Sequence, residues 1–147
     1  MNKYLKANAV LSMFSKNYME LKRGLPIRPS EMGVLNIITE TPGPHTSVML
    51  AELLGVSKPM ITAHLSSLSG KGYITKEQSP EDKRVYYVLP TGKARALVQE
   101  AKTDLNKKLD CLVQEMGQEA FDTLVALAQE ANTILQRDGR SGEDGSE

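Results

Sequence analysis

"LAELLGVSKPMITAHLSSL", residues 50–68, decides how this chain is built. Two short apolar periodic runs flank Gly55-Val56-Ser57, too close together for anything but a tight turn between helices. Ala51 is small, so a second helix can cross closely over the first. Gly55 follows four residues on, where the turn needs a residue that tolerates positive φ. Ser57 can cap a helix running to about Gly70, and Thr46 can cap the shorter helix before it. Val56, Ile61 and Leu65 supply the buried side. Each feature alone is weak, but together at this spacing they read as a helix-turn-helix.

A second informative stretch, "SPEDKRVYYVLP", spans residues 79–90. Polar and charged residues give way after Arg84 to Val-Tyr-Tyr-Val-Leu, a run with strong strand preference that Pro90 ends. Upstream, Tyr73-Ile74-Thr75-Lys76 also has strand character. Two short strands joined by a tip carrying Asp82, Lys83 and Arg84 make a hairpin that reaches away from the body.

Outward from this centre the chain is helical. The first 23 residues place Tyr4, Ala7, Leu11, Phe14, Tyr18 and Leu21 on a narrow seam of the coiled-coil kind, which Gly24 ends. Pro29 fits the first turn of a second helix that turns Met32, Leu35 and Ile38 (or Val34) inward. Thr91 caps a long helix with Leu97, Ala101, Leu105, Leu109, Leu112 and Met116 on one face, and Gly117 stops it. A last helix carries Phe121, Leu124, Ala128, Ala131 and Leu135. The expected class is mostly α (α+β), with seams at both chain ends. They suit packing within the chain or, more sharply, interlocking in a two-fold dimer.

Composition narrows the function classes. The chain has 147 residues, zero net charge and one cysteine, Cys111, which excludes an intramolecular disulfide and fits a reducing cytoplasm. No apolar run approaches the ~20 residues of a membrane span, and the N-terminus lacks a signal-peptide pattern. Residues 137–147 hold two basic and four acidic residues with nothing to bury, so residues 1–136 carry +2. That end is expected to be a disordered acidic tail. No nucleophile–base pair and no metal-ligand set is present, so neither an enzyme nor a cofactor is expected. Cys111, beside Leu109 and Leu112, is expected to be a buried, inert thiol, and His45 an exposed turn residue.

On these residues the chain resembles the MarR family of winged helix-turn-helix transcriptional regulators. The resemblance is most specific at Leu50 through Pro59, at Thr62, at Leu68 with Gly72-Tyr73-Ile74, and at Pro80, Asp82 and Arg84. Leu89, Thr91 and Gly92 match the family's passage into the long helix. The resemblance implies a homodimer whose dimerisation region is residues 1–24 and 91–136, with residues 29–90 as the DNA-binding lobe. It also implies a repressor of transcription on a pseudo-palindromic operator, relieved by a small-molecule effector whose pocket residues are not identifiable. The hairpin becomes a wing whose arginine enters the minor groove, held in geometry by Asp82. Relatives that sense redox state carry a cysteine in the N-terminal helix, and this chain has none there.

At ~100° per residue, Ile61, Leu65 and Leu68 define the buried side of the second helix. Pro59, Ala63 and Ser66 then face outward, with Thr62 and Ser67 flanking and Lys58 at the start. His64 falls on a partly covered flank. Candidate DNA contacts are therefore Ser57, Lys58, Pro59, Thr62, Ala63 and Ser66, with Asp82, Lys83 and Arg84 in the wing. The family commonly has arginine at the positions of Ala63 and Ser67. Here the face is small and neutral, able to touch thymine methyls but not to grip guanine in bidentate fashion. That neutrality keeps open a second class of function, a winged-helix protein-interaction module without DNA binding.

Overall fold

The computed structural model describes residues 2–143, with side chains described through residue 139. Six helices and one hairpin follow in the order α1 (Lys3–Glu20), α2 (Pro29–Glu40), α3 (Ser47–Leu54), α4 (Lys58–Gly70), β1 (Ile74–Gln78), β2 (Tyr86–Pro90), α5 (Gly92–Met116) and α6 (Gln118–Glu143). The described chain divides into two compact units between Leu105 and Asn106, within α5.

The first unit holds the core. α2 contributes Met32, Val34, Leu35 and Ile38, so both inward candidates of this helix are buried; α3 adds Leu50, and α4 adds Ile61, Leu65 and Leu68. Ile27, Tyr73, Ile74, Val88, Ala94, Leu97 and Val98 close it from the connections, the hairpin and the start of α5. Burying a Leu or Ile side chain here contributes about 1.5–3 kcal/mol each, which is what orients the short α3 and α4 that could not persist alone.

Local cues place the turns. Thr46 accepts a hydrogen bond from the Met49 N–H, and Ser57 accepts one from the Met60 N–H, each at 3.3 Å. Gly55 ends α3 at φ 65°, ψ 34°, the left-handed conformation that only a residue without Cβ adopts freely. α1 stops at Glu20, and single turns carry the chain through Arg23 to Gly24 at φ 91°, three residues earlier than the seam suggested.

β1 and β2 pair antiparallel, with Lys76 opposite Val88 and Gln78 opposite Tyr86. Both strands lie one or more residues later than their β-propensity implied. Val85 belongs instead to the tip, where its carbonyl accepts from the Ser79 N–H at 2.8 Å and its N–H donates to the Asp82 carbonyl at 3.0 Å. Pro90 sits inside the strand as its last residue, a position that asks for no N–H donor. On the other edge of β2, the Val88 N–H donates to the His45 carbonyl at 2.8 Å. His45 is consequently buried, with Nε2 2.9 Å from Thr41 Oγ1, and is not the exposed turn residue its proline-rich neighbours suggested.

The second unit is the rest of α5 with α6. Gly117 separates the helices at φ 92°. α6 continues through Glu143, into the stretch expected to be a disordered tail, because adding residues to an existing helix is far easier than starting one. Residues 144–147 of that expected tail lie outside the described residues. Cys111 is exposed, not buried. Among the described residues, no helix is long and apolar enough to cross a membrane.

Candidate nucleic-acid interface

α4 places its residues as helical projection requires. Ile61, Leu65 and Leu68 are buried, His64 and Ser67 half-buried, and Lys58, Pro59, Thr62, Ala63 and Ser66 exposed. Two of the candidate hydroxyls have local duties. Ser57 Oγ caps the helix, and Thr62 Oγ1 donates to the Lys58 carbonyl at 2.9 Å, leaving its lone pairs outward. Met60 is also exposed on the first turn, an apolar contact the periodicity assigned to neither face.

The wing tip is tightly prearranged. Ser79 is buried, its hydroxyl 3.2 Å from the Tyr87 hydroxyl and accepting from the N–H groups of Glu81 and Asp82. Gln78 Nε2 donates to the Lys83 carbonyl at 2.8 Å, tying the far side of the loop to β1. Asp82 Oδ1 accepts from both the backbone N–H and Nε of Arg84, and Oδ2 accepts from Nη2. The side-chain fork and the backbone N–H of Arg84 hold the Asp82 carboxyl below the usual aspartate range. The Arg84 side chain is 90% exposed. Ser79 and Tyr87 were not singled out from sequence, although a Ser followed by Pro-Glu-Asp is the composition of a hydroxyl-stabilised turn.

Behind the interface lies a buried carboxylate that the sequence pattern does not announce. Glu31, 1% exposed, accepts from the Arg28 N–H at 3.1 Å and lies 3.7 Å from Lys71 Nζ. Burial pushes its carboxyl up, but the neighbouring Ser67 hydroxyl, the Arg28 N–H and the charges of Lys71 and Arg28 outweigh that and hold it below the usual glutamate range. Its signal was faint: a Glu in the first turn of a helix, where it can reach back to a free N–H.

The sequence pattern of the MarR family matches residues 27–86, from just before α2 to the first residue of β2. Residues 27–86 carry a MarR-family winged helix-turn-helix. The chain's mostly helical fold with one two-stranded sheet is that of solved winged-helix regulators. FabT of Streptococcus pneumoniae, in a crystal structure with DNA, aligns over 92% of this chain and 99% of its own at a TM-score of 0.79 and 23% identity. The transcriptional repressor CouR, bound to a 23-mer DNA duplex, aligns over 90% and 92% at a TM-score of 0.70 and 25% identity. In sequence, the HTH-type transcriptional regulator YcgE of Bacillus subtilis is 22% identical over 116 residues, 79% of this chain and 75% of YcgE. The MarR-matched segment contains every candidate contact from Ser57 to Arg84.

Proposed function

We propose that this MarR-family protein is a homodimeric, sequence-specific transcriptional repressor that binds duplex DNA through α4 and the wing. The observation that carries this reading is the Asp82–Arg84 fork: an exposed guanidinium fixed in one geometry at the end of a hairpin, adjoining a helix with a small, exposed polar face. Arginine suits a narrow minor groove because its fork is preorganised and weakly hydrated. Thr62, Ala63 and Ser66, with the Pro59 ring, would meet base edges and thymine methyls, while Ser57, Lys58 and Lys83 would face phosphate. FabT and CouR in complex with DNA support the same use of the fold.

Residues 1–24 and 91–136 form the dimerisation region in this reading, and residues 29–90 the DNA-binding lobe. Support comes from uncovered apolar seams. α1 buries none of its residues, leaving Tyr4, Leu11 and Phe14 exposed, and α6 exposes Val125, Leu127 and Leu135. Apolar strips of this size are usual interface surface.

Effector relief is part of the proposal. A cavity of about 500 Å³ in the first unit is walled by Met19, Leu25, Met32, Val98 and Leu105, with Lys22, Arg23 and Lys102 at its edge. Glu40 and Asp104 share that edge, and Lys102 Nζ already lies 2.8 Å from Glu40 Oε1, so apolar walls with a mixed-charge rim suit an amphipathic small molecule. Such a ligand releases DNA only by binding the DNA-incompetent form better, and a hundredfold release needs about 2.7 kcal/mol of coupling.

Selection of bound fragments from genomic DNA tests the proposal. Recovery of a pseudo-palindrome with half-sites roughly 10 base pairs apart supports it. Failure to enrich any sequence, with a bound protein partner instead, would favour the interaction-module reading that the neutral α4 face suggests.

A further inference from the structure

We infer that Lys93, with Glu31, is a positioning residue for the recognition helix. Each segment joining the lobe to the terminal helices ends in polar contacts on residues 71–73, which leave the C-terminal end of α4. This rests on the DNA-binding reading above for its consequence, but not for its geometry.

The last carbonyls of a helix have no partner within it, and a cation there is favoured by the helix dipole. On α4 the chain turns at Gly72, φ 82°, with the Tyr73 N–H donating to the Leu68 carbonyl at 2.9 Å. The Lys71 carbonyl then points toward α5, where Lys93 Nζ donates to it at 2.7 Å. The same ammonium lies 4.5 Å from the centre of the Tyr73 ring, a second attraction that fixes its position. Thr91 adds to this grip, its Oγ1 donating to the Gly72 carbonyl at 2.8 Å and its N–H to the Tyr73 carbonyl at 3.0 Å.

From the opposite side, Glu31 reaches Lys71 Nζ at 3.7 Å while accepting from the Arg28 N–H, the residue that enters α2 from α1. Lys71 is thus held twice, its side chain by α2 and its carbonyl by α5. A shift of either connection is transmitted to the end of α4 through these polar contacts. That is the place from which a small displacement swings the exposed face of the helix most.

The test uses the full chain and three variants, Lys93→Met, Lys93→Arg and Glu31→Gln, all checked for an intact thermal transition. Amide hydrogen exchange is read without DNA, and affinity is read for a duplex selected from genomic fragments against a scrambled one at several salt concentrations. Lys93→Met should speed exchange at residues 68–73 by about tenfold, the scale of one charge-assisted hydrogen bond, with other core amides unchanged. It should also lower discrimination between the two duplexes while leaving the salt slope intact, because no phosphate contact is lost. Lys93→Arg should retain both properties, and Glu31→Gln should show the same pattern more weakly. Unchanged exchange at residues 68–73 overturns the inference. So does a salt slope reduced by about one with discrimination preserved, the mark of a plain phosphate contact. If the native protein selects no duplex at all, the DNA reading fails, and the exchange data alone decide whether Lys93 holds the helix end.

Discussion

Both carboxylate oxygens of Asp82 are committed to Arg84: Oδ1 accepts from its N–H at 3.0 Å and its Nε at 3.2 Å, and Oδ2 accepts from Nη2 at 3.2 Å. An acidic residue in a wing proposed to meet DNA is otherwise paradoxical. Here it spends its charge on orienting a cation that is itself 90% exposed. Arg84→Ala should therefore weaken binding of a selected duplex by about 1–3 kcal/mol and reduce sequence preference, whereas Lys83→Ala should weaken all duplexes alike and lower the salt slope by about one. Fluorescence anisotropy titrations of the two variants distinguish these effects.

The same pair sets a pH dependence. The carboxyl of Asp82 is depressed by the Arg84 fork and backbone N–H, so the contribution of this pair to wing order is fully present above the ordinary aspartate value and is lost as pH falls through the lower folded value. Titration of the Arg84 Nε–H signal by NMR should show a midpoint below that of an aspartate in an unstructured peptide. A midpoint at or above the peptide value contradicts a held fork.

Gly55 offers a test of the turn. A Cβ added there meets nothing within 4 Å, so the penalty of Gly55→Ala is one of backbone conformation at φ 65° and should be about 1–2 kcal/mol in denaturant unfolding. Gly55→Asn, whose side chain tolerates this region, should recover part of it. A neutral Gly55→Ala would show that the turn can relax.

What the sequence made legible was what local chemistry dictates. Thr46, Gly55 and Ser57 mark their own turns, and Ile61, Leu65 and Leu68 recur at helical spacing, so α3, α4 and the exposed face between them could be read directly. The misreadings share a cause in partners distant along the chain. His45 looks exposed until β2 takes its carbonyl. Val85 looks like a strand residue until Ser79 claims it for the tip. Cys111 looks buried only if spacing is assumed to say what covers a helix. Lys93 had no signal at all, since its partners are the carbonyl of Lys71 and the ring of Tyr73.

The uncovered seams give a prediction for assembly. The protein should sediment as a dimer at micromolar concentration, and Leu11→Glu or Leu135→Glu should shift it toward monomer, since each places a charge on an exposed apolar strip. A monomeric native protein, or variants that remain dimeric with unchanged affinity, would contradict the proposed interface.

The central claim is that α4 and the Arg84 wing read DNA sequence, and one measurement bears on it most directly: competition between a genomically selected duplex and a scrambled duplex of equal length, for the native protein and Arg84→Ala. The account predicts a native preference of about 10³-fold or more at physiological salt, reduced by roughly tenfold or more in Arg84→Ala. Equal native affinity for both duplexes, or a preference untouched by Arg84→Ala, would contradict it.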